Sequence, residues 1–188
     1  MSVGLIVLIV VIAIVVILLL WVMGTYNSLV RGKNGIEEAF STMDVYLKKR
    51  FDLIPNLVET VKGYAAHEKE TLEKTIAMRN AAGNARDFNE RIQSESALSG
   101  AVRNLFAIAE NYPDLKANQN FLELQGQLRG CEEDIANARK YYNAVVRRFN
   151  DRVMMFPSSI IAGMFHFEKQ PMFEVANEAE RENVKVSF

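Results

Sequence analysis

The chain carries one His-Glu pair, His67-Glu68, within the segment GYAAHEKETL at residues 63–72. In a helical H-E-x-x-H motif, two histidines four residues apart bind one zinc ion, and the glutamate acts as the base. Four positions after His67 the chain has Thr71, and the other histidine, His166, is far away in sequence. The second ligand is therefore missing, and the sequence predicts no zinc site here.

Other catalytic patterns are not found in the sequence. It has no glycine-rich phosphate loop, no G-x-S-x-G elbow, no dinucleotide fingerprint and no paired Glu-x-x-His motifs. Cys131 falls on an apolar helical stripe, so we expect a buried thiol and no nucleophile. Basic and acidic residues are interspersed, with a net charge of −1. We therefore expect no enzyme, no cofactor and no nucleic-acid partner.

The first segment of the chain is apolar throughout. Residues 3–23 contain no charged side chain, and as a helix they would extend about 31 Å, which matches the hydrocarbon core of a bilayer. Only Met1 and Ser2 precede this run, whereas a cleaved signal peptide needs a basic start and a shorter apolar run. The sequence predicts an uncleaved transmembrane anchor over residues 1–24, with Trp21 and Tyr26 near the lipid boundary.

Basic residues predict the orientation of this anchor. Arg31 and Lys33 follow the span and no basic residue precedes it. By the positive-inside rule, the C-terminal domain stays in the cytoplasm. We therefore expect a single-pass protein of the bacterial inner membrane.

The remaining apolar residues recur at intervals of three and four, which is typical of amphipathic helices. The spacing predicts helices over about 25–51, 56–82, 87–110 and 118–155. Short connections favour an antiparallel four-helix bundle over residues 25–156, so the fold class is all-α. The last helix has the most regular stripe, typical of coiled-coil-like packing. This stripe consists of Phe121, Leu124, Leu128, Cys131, Ile135, Ala138, Tyr142, Val145 and Phe149.

A C-terminal tail follows over residues 157–188. Four helices in alternating directions would bring Phe156-Pro157 back toward the bilayer, next to an apolar run that includes Phe165 and Phe167. This run could cover the open end of the bundle, enter the lipid headgroups or pack on a neighbouring subunit. The charged end of the tail, 178–188, is expected to be poorly packed.

One acidic residue, Glu68, lies on a predicted apolar helix face and needs a structural explanation. Glu68 falls among Val61, Ala65, Leu72 and Ile76, which would form the inner face of the second helix. A carboxylate facing a core is costly unless it is paired. We therefore expect Glu68 to form an ion pair with an arginine of another helix, and the two candidates are Arg50 and Arg79.

Prolines mark the predicted helix junctions. Pro55 lacks an amide donor, which suggests a joint between the first and second helices. Tyr112-Pro113-Asp114 predicts a turn between the third and fourth helices.

Six segments together resemble the LemA family of bacterial membrane proteins. They occur in order: YNSLV at 26–30, DVYLKKRFDLIPNLV at 44–58, TVKGYAAHE at 60–68, ENYPDLKAN at 110–118, ANARKYYN at 136–143 (with Tyr142 and Asn143), and FPSSIIA at 156–162. The resemblance implies a short outside N-terminus, one span and a helical domain that is usually assigned to the cytoplasm. No enzymatic activity is established for the family, and one relative takes part in forming magnetosome membranes.

These observations lead to two functional hypotheses. The first is a membrane-anchored scaffold that binds itself or other membrane proteins and so organises the membrane, because an array multiplies weak contacts. The expected partners are the lipid bilayer and further copies of the chain. The alternative is an adaptor or regulator of a membrane protease or another envelope machine.

Overall fold

The computed structural model of the chain describes residues 2–173, and within that range it contains helices and no strand. The all-α fold class is therefore confirmed. The charged segment 178–188 lies outside the described residues. The helices are α1 Val3–Lys62, α2 Lys69–Asn84, α3 Phe88–Ala109, α4 Pro113–Lys116, α5 Gln119–Met154 and α6 Ser158–Met164.

Contacts divide the chain into two compact units. Unit 1 is Met1–Ser41 with Lys140–Met172, and unit 2 is Thr42–Arg139 with Phe173–Phe188. The functional segments 1–24, 25–156 and 157–188 that the sequence suggests remain a prediction.

The first long helix continues through Pro55, so the joint expected at this residue is a wrong prediction. Proline removes one backbone hydrogen bond and leaves the carbonyl four residues earlier without its helical donor. That carbonyl belongs to Phe51, and it accepts a hydrogen bond from Nε of Arg79 at 2.9 Å. The guanidinium of Arg79 also lies 3.6 Å from the centroid of the Phe51 ring. A side chain from α2 thus compensates for the defect, and the helix continues to Lys62.

The break between the first two helices comes later, at residues 63–68. His67 and Glu68 therefore precede α2 and do not lie within a helix, contrary to the sequence prediction. Because α2 starts afresh at Lys69, its helical phase does not continue from Val61. Thr75 is buried in α2 while Ile76 is 42% exposed, so the prediction of Ile76 as a core residue is wrong.

Unit 2 has a continuous apolar core built from α1 to α5. The predicted third and fourth helices are confirmed within about one residue at each end. Asp87 caps α3 by accepting a hydrogen bond from the amide of Glu90 at 2.8 Å. The core side chains are Ile54, Leu57, Val58, Val61, Ala65, Leu72, Ala82, Leu98, Val102, Leu105, Ala109, Leu115, Phe121 and Leu128.

Unit 1 is held together by close contacts between α1 and α5. Gly32 lies against the ring of Phe149, and Gly35 lies near Val145. Val146 is fully buried, whereas Val145, which the regular stripe had included, is only partly buried. A stripe through Tyr142, Val145 and Phe149 and a stripe through Tyr142, Val146 and Phe149 both have intervals of three and four residues. The sequence pattern alone therefore does not show which of the two valines is buried.

The chain after α6 folds back onto unit 1. Asn150 bonds both backbone groups of Gln170: its amide donates to the carbonyl at 2.9 Å and its oxygen accepts from N–H at 2.8 Å. The ring centroid of Tyr26 lies 4.7 Å from that of Phe165 and 5.9 Å from that of Phe167. These contacts anchor the segment around α6 to the first and fifth helices.

The N-terminal part of α1 is apolar and exposed. Among the described residues, α1 is the one helix that is long and apolar enough to cross a membrane, and none of its most apolar 18-residue window is buried. A solvent-exposed surface of this composition would be unfavourable in water.

Candidate functional site: a buried arginine and an adjoining cavity

Unit 2 contains a fully buried arginine, Arg50, in the middle of its α1 segment. Its guanidinium pairs with the carboxylate of Glu95 from α3, which is itself 4% exposed. On the other side Nη1 lies 2.6 Å from Oε1 of Glu132, which comes from α5 and has a side chain that is 37% exposed. The same Nη1 also donates to the hydroxyl of Ser99 on α3. One cation thus connects three helices.

The physical effect of this network is to fix the register of those helices. Burying a charge is costly unless opposite charges and hydrogen bonds compensate for it. Here Nη2 contacts both the carboxylate and the backbone carbonyl of Glu95, the latter at 3.3 Å. A slip of any one helix would leave Arg50 or Glu95 buried without its partner. The network is therefore suited to specifying structure.

A cavity of about 490 Å³ adjoins the network. Its apolar part comes from Val102 and Phe106, and Ser99 and Glu132 connect it with Arg50. Three arginines and one further acid also line it, so both charge signs are present. The full lining is Ser96, Ser99, Val102, Arg103, Phe106, Arg129, Glu132, Glu133 and Arg139.

Arg139 brings unused hydrogen-bond donors to this cavity. Its Nε and Nη2 are buried and have no hydrogen-bond partner among residues 2–173, and its guanidinium lies 4.5 Å from the centroid of the Phe173 ring. Burial lowers the pKa of Arg139, and the positive charge of Arg50 acts in the same direction. Glu132 and Glu95 oppose this shift. A carboxylate or another anion in the cavity would supply the missing acceptor.

Comparison with known proteins decides which family the chain represents. The model of the LemA family matches residues 39–188. The chain belongs to the LemA family. The match starts after the exposed apolar segment of α1 and includes all of the side chains around Arg50 and the cavity.

Curated relatives agree with this assignment. This LemA-family chain is 27% identical to "Protein LemA" of Metamycoplasma hominis over 166 residues, which cover 88% of the chain and 75% of the relative. It is 21% identical to "Magnetosome protein MamQ 1" and "Magnetosome protein MamQ 2" of Paramagnetospirillum magneticum, over 79% of the chain. The chain spans 64% of the length of each of these two proteins.

The expected ion pair of Glu68 is not what this LemA-family structure contains, and that prediction is wrong. Glu68 is half-buried, and its Oε1 accepts a hydrogen bond from the hydroxyl of Tyr112 at 3.2 Å. Arg50 pairs with Glu95 and Glu132, while Arg79 caps the carbonyl of Phe51. Because the helix breaks before Glu68, this side chain points to the turn that contains Tyr112.

The bond between Glu68 and Tyr112 joins two loops of unit 2. Burial raises the pKa of Tyr112, and the hydrogen bond to Glu68 and its negative charge act in the same direction. Pro113 follows at the first position of α4, where a missing amide donor costs nothing. These residues make the turn that the sequence predicts between α3 and the next long helix.

The remaining predicted positions lie in unit 1 and do not join the arginine network. Tyr142 is buried and donates a hydrogen bond to the carbonyl of Pro171 at 3.1 Å. Asn143 is half-buried beside it. Phe156 and Pro157, which are joined by a cis peptide bond, are exposed between α5 and α6. Tyr142 thus contributes to the packing of unit 1, whereas Phe156 and Pro157 lie on its surface.

No catalytic constellation forms around the network. Among residues 2–173, no group of three or more His, Cys, Asp or Glu side chains could hold a metal ion. His67 is exposed. Cys131 is buried and its thiol donates to the carbonyl of Tyr46 at 3.2 Å. The contacts of the network are suited to holding the three helices in register.

Sequence analysis missed Glu95, Ser99, Glu132 and Arg139. Glu95 lies between the apolar positions Ile92 and Leu98 of α3, so its spacing could have identified it as a buried acid. Arg139 follows the stripe residue Ala138 on α5. The other members give no comparable signal, because polar residues flank every apolar stripe in this chain.

Proposed function

We propose that this protein is a single-pass, membrane-anchored interaction protein that assembles with copies of itself and organises membrane proteins. The observation that carries the proposal is the composition of α1 along its length. Its first part is apolar and exposed, and the same uninterrupted helix later supplies core side chains and the buried Arg50. A continuous helix of this kind links a folded domain to a lipid anchor.

We further propose that the four long helical segments form an antiparallel bundle. In unit 1 the residue numbers increase along α1 while those of the contacting residues in α5 decrease, as expected for antiparallel helices. The contacts are Ser28–Arg152, Gly32–Phe149 and Phe40–Tyr142. In unit 2 only residues 85–87 connect α2 with α3, which is compatible with opposite directions. The regular apolar stripe of α5 is suited to coiled-coil-like packing.

The proposed location is the bacterial inner membrane, with the C-terminal domain in the cytoplasm. Arg31 and Lys33 follow the apolar run closely, and both are exposed. A membrane-impermeant thiol reagent applied to intact cells should not modify a cysteine placed at Gln127, an exposed position of α5. It should modify that cysteine after the inner membrane is opened. Equal modification in intact cells would reverse the proposed orientation.

Self-assembly is proposed because an anchor confines the protein to a plane, where weak contacts between many copies add up. The exposed apolar surface of the span provides one such contact region, since van der Waals packing and hydrogen bonds drive association between helices in lipid. The mass of the particle in mild detergent tests this step. A homomeric particle of many subunits supports it, and a monomer at all protein concentrations contradicts it.

The alternative, an adaptor for a membrane protease or another envelope machine, is favoured by the cavity beside Arg50. Buried donors of Arg139 without partners and the exposed cations Arg103 and Arg129 are suited to an acidic side chain of a partner. Reversal of Arg129 to Glu should release a stoichiometric protease partner, whereas Lys74→Glu, at an exposed position of α2, should retain it. A LemA-family particle that contains no other protein would contradict the adaptor.

We propose no enzymatic activity. Arg50 binds the hydroxyl of Ser99 and the carboxylate of Glu132, which line the cavity, and this engagement disfavours their use as a nucleophile or a base. Turnover of a substrate by the purified chain, together with loss of turnover in Glu132→Gln, would contradict this part of the proposal.

A further inference from the structure

Five large apolar side chains are exposed between the end of α5 and the end of α6. We call Met154, Met155, Phe156, Ile160 and Met164 the α5–α6 patch. Their exposed fractions range from 49% for Met154 to 81% for Phe156. Single exposed apolar residues are common on proteins, but several large ones close together in the chain indicate an interaction surface.

The chain's own core does not need these side chains. Ile161 and Ala162 turn inward from α6 and are almost fully buried. The ring of Phe167 packs edge-on against the rings of Phe149 and Tyr26, which both belong to unit 1. The patch therefore remains on the outside after the segment has covered its part of unit 1.

Contacts in unit 1 place the patch beside the end of the apolar span. Arg152 donates to the hydroxyl of Ser28 at 2.8 Å, and Ser28 lies about 7.5 Å along the helix from Met23 at 1.5 Å per residue. Beyond Arg152 the chain moves further toward the span, because Ser158 and Trp21 line the same cavity of about 350 Å³. The patch residues thus lie at the depth at which the apolar run ends.

The charges of the part of unit 1 that follows the span are suited to an anionic surface. Residues 24–36 and 144–172 together hold six basic and two acidic side chains, a net charge of +4, whereas the whole chain carries −1. Arg147, Arg148 and Lys169 are exposed. An apolar patch on a unit that carries an excess of positive charge is suited to the interface of an anionic bilayer.

We propose that the α5–α6 patch enters the headgroup region of an anionic bilayer and forms a second membrane contact next to the anchor. The inference rests on the proposed anchoring by α1 and extends it. Two contacts on one lipid surface would restrict the tilt of unit 1, which a single helix leaves free.

The test uses the full chain in vesicles, with Cys131 replaced by alanine and one added cysteine carrying an environment-sensitive fluorophore. Phe156→Cys reports the patch, Ile12→Cys reports the middle of the span, and Tyr141→Cys reports an exposed position of α5 away from the patch. Lipids with nitroxide groups near the headgroup or deep in the acyl chain serve as quenchers. Because Phe156 is mostly exposed, its replacement leaves the core intact.

We expect the shallow nitroxide to quench the probe at position 156 more than the deep one, with blue-shifted emission. The probe at position 12 should show the opposite depth preference, and the probe at position 141 should be insensitive to both. If position 12 is quenched and position 156 behaves like position 141, this inference is overturned while the anchor stands. If position 12 is also unaffected, the proposed anchoring itself fails.

Lipid composition and self-contact supply the remaining outcomes. Quenching at position 156 should be stronger in vesicles with phosphatidylglycerol than in pure phosphatidylcholine, and Arg147→Gln with Arg148→Gln should remove this difference while Lys74→Gln retains it. A difference that survives the double replacement overturns recognition of the anionic surface. A blue-shifted probe at position 156 that lipid does not quench, and that forms disulfide-linked dimers when left unlabelled, identifies a second copy as the occupant and overturns the lipid contact.

Discussion

Arg50 and Glu95 form an ion pair in which the two side chains are 0% and 5% exposed. Replacing Arg50 by Met removes the cation and leaves the carboxylate of Glu95 buried without its partner. Breaking a buried pair in this way costs about 3–5 kcal/mol. We expect the free energy of unfolding of the full chain, measured by denaturant titration in detergent micelles, to fall by that amount.

A second replacement separates the cost of the unpaired charge from the value of the pair. Adding Glu95→Leu to Arg50→Met should restore most of the lost stability, since apolar replacement of a buried pair is often neutral. Arg103→Met, at an exposed position of α3, should change the stability by less than about 0.5 kcal/mol. Equal stability of Arg50→Met and the parent chain would mean that the network does not exist in solution.

Gly32 and Gly35 provide a matched pair of substitutions on one helix face. A Cβ atom at Gly32 would lie 2.9 Å from Cδ2 of the buried Phe149 ring, while one at Gly35 would lie 3.7 Å from Val145. We expect Gly32→Ala to destabilise the protein by about 1–3 kcal/mol through overpacking. Gly35→Ala should stabilise it by up to about 1 kcal/mol, since alanine is the better helix former.

Thermal unfolding of both variants in the same detergent measures this difference. Gly130→Ala, where nothing lies within 4 Å of the added atom, reports the helix propensity alone. If Gly32→Ala and Gly130→Ala shift the midpoint equally, α1 and α5 do not approach each other at Gly32.

The sequence predicts the helices best where apolar spacing alone determines them. The stripe of α5 and the segment of α3 match the structure closely because each is an uninterrupted amphipathic helix. The joint at Pro55 was predicted wrongly because the compensating donor, Arg79, comes from another helix. A contact between distant residues of this kind leaves no local pattern in the chain.

The arginine network was predictable in one half only. Arg50 is one of the two arginines expected to pair with Glu68, and the structure buries it against Glu95 instead. The identity of the partner was predicted wrongly, because Glu68 had been assigned to a helix that ends at Lys62. The rotation of side chains around the helix axis does not continue from α1 to α2, because residues 63–68 interrupt the helix. Apolar spacing counted across this break therefore assigns the wrong residues to the buried face.

Tyr142 should titrate late. Burial raises its pKa from the ordinary value of 10.0 to about 12, so folding favours the neutral phenol. This contribution to stability is complete below pH 10 and is lost as the pH rises through about 12. Ultraviolet difference titration should resolve one tyrosine that ionises close to pH 12, and Tyr142→Phe should remove that step. A titration in which all tyrosines ionise together near pH 10 would contradict the burial of Tyr142.

Cys131 should react slowly with thiol reagents. Burial raises the pKa of its thiol, and the positive charges of Arg50 and Lys49 only partly oppose this effect, while Glu132 and Asp134 add to it. The thiolate is the reactive form, so both access and ionisation disfavour attack. In the variant Gln127→Cys we expect two kinetic phases with an aromatic disulfide reagent at pH 8. The exposed thiol should react at least about tenfold faster than Cys131, and denaturant should merge the phases. A single fast phase in the folded variant would mean that Cys131 is accessible to solvent and that the apolar stripe of α5 is not packed at this position.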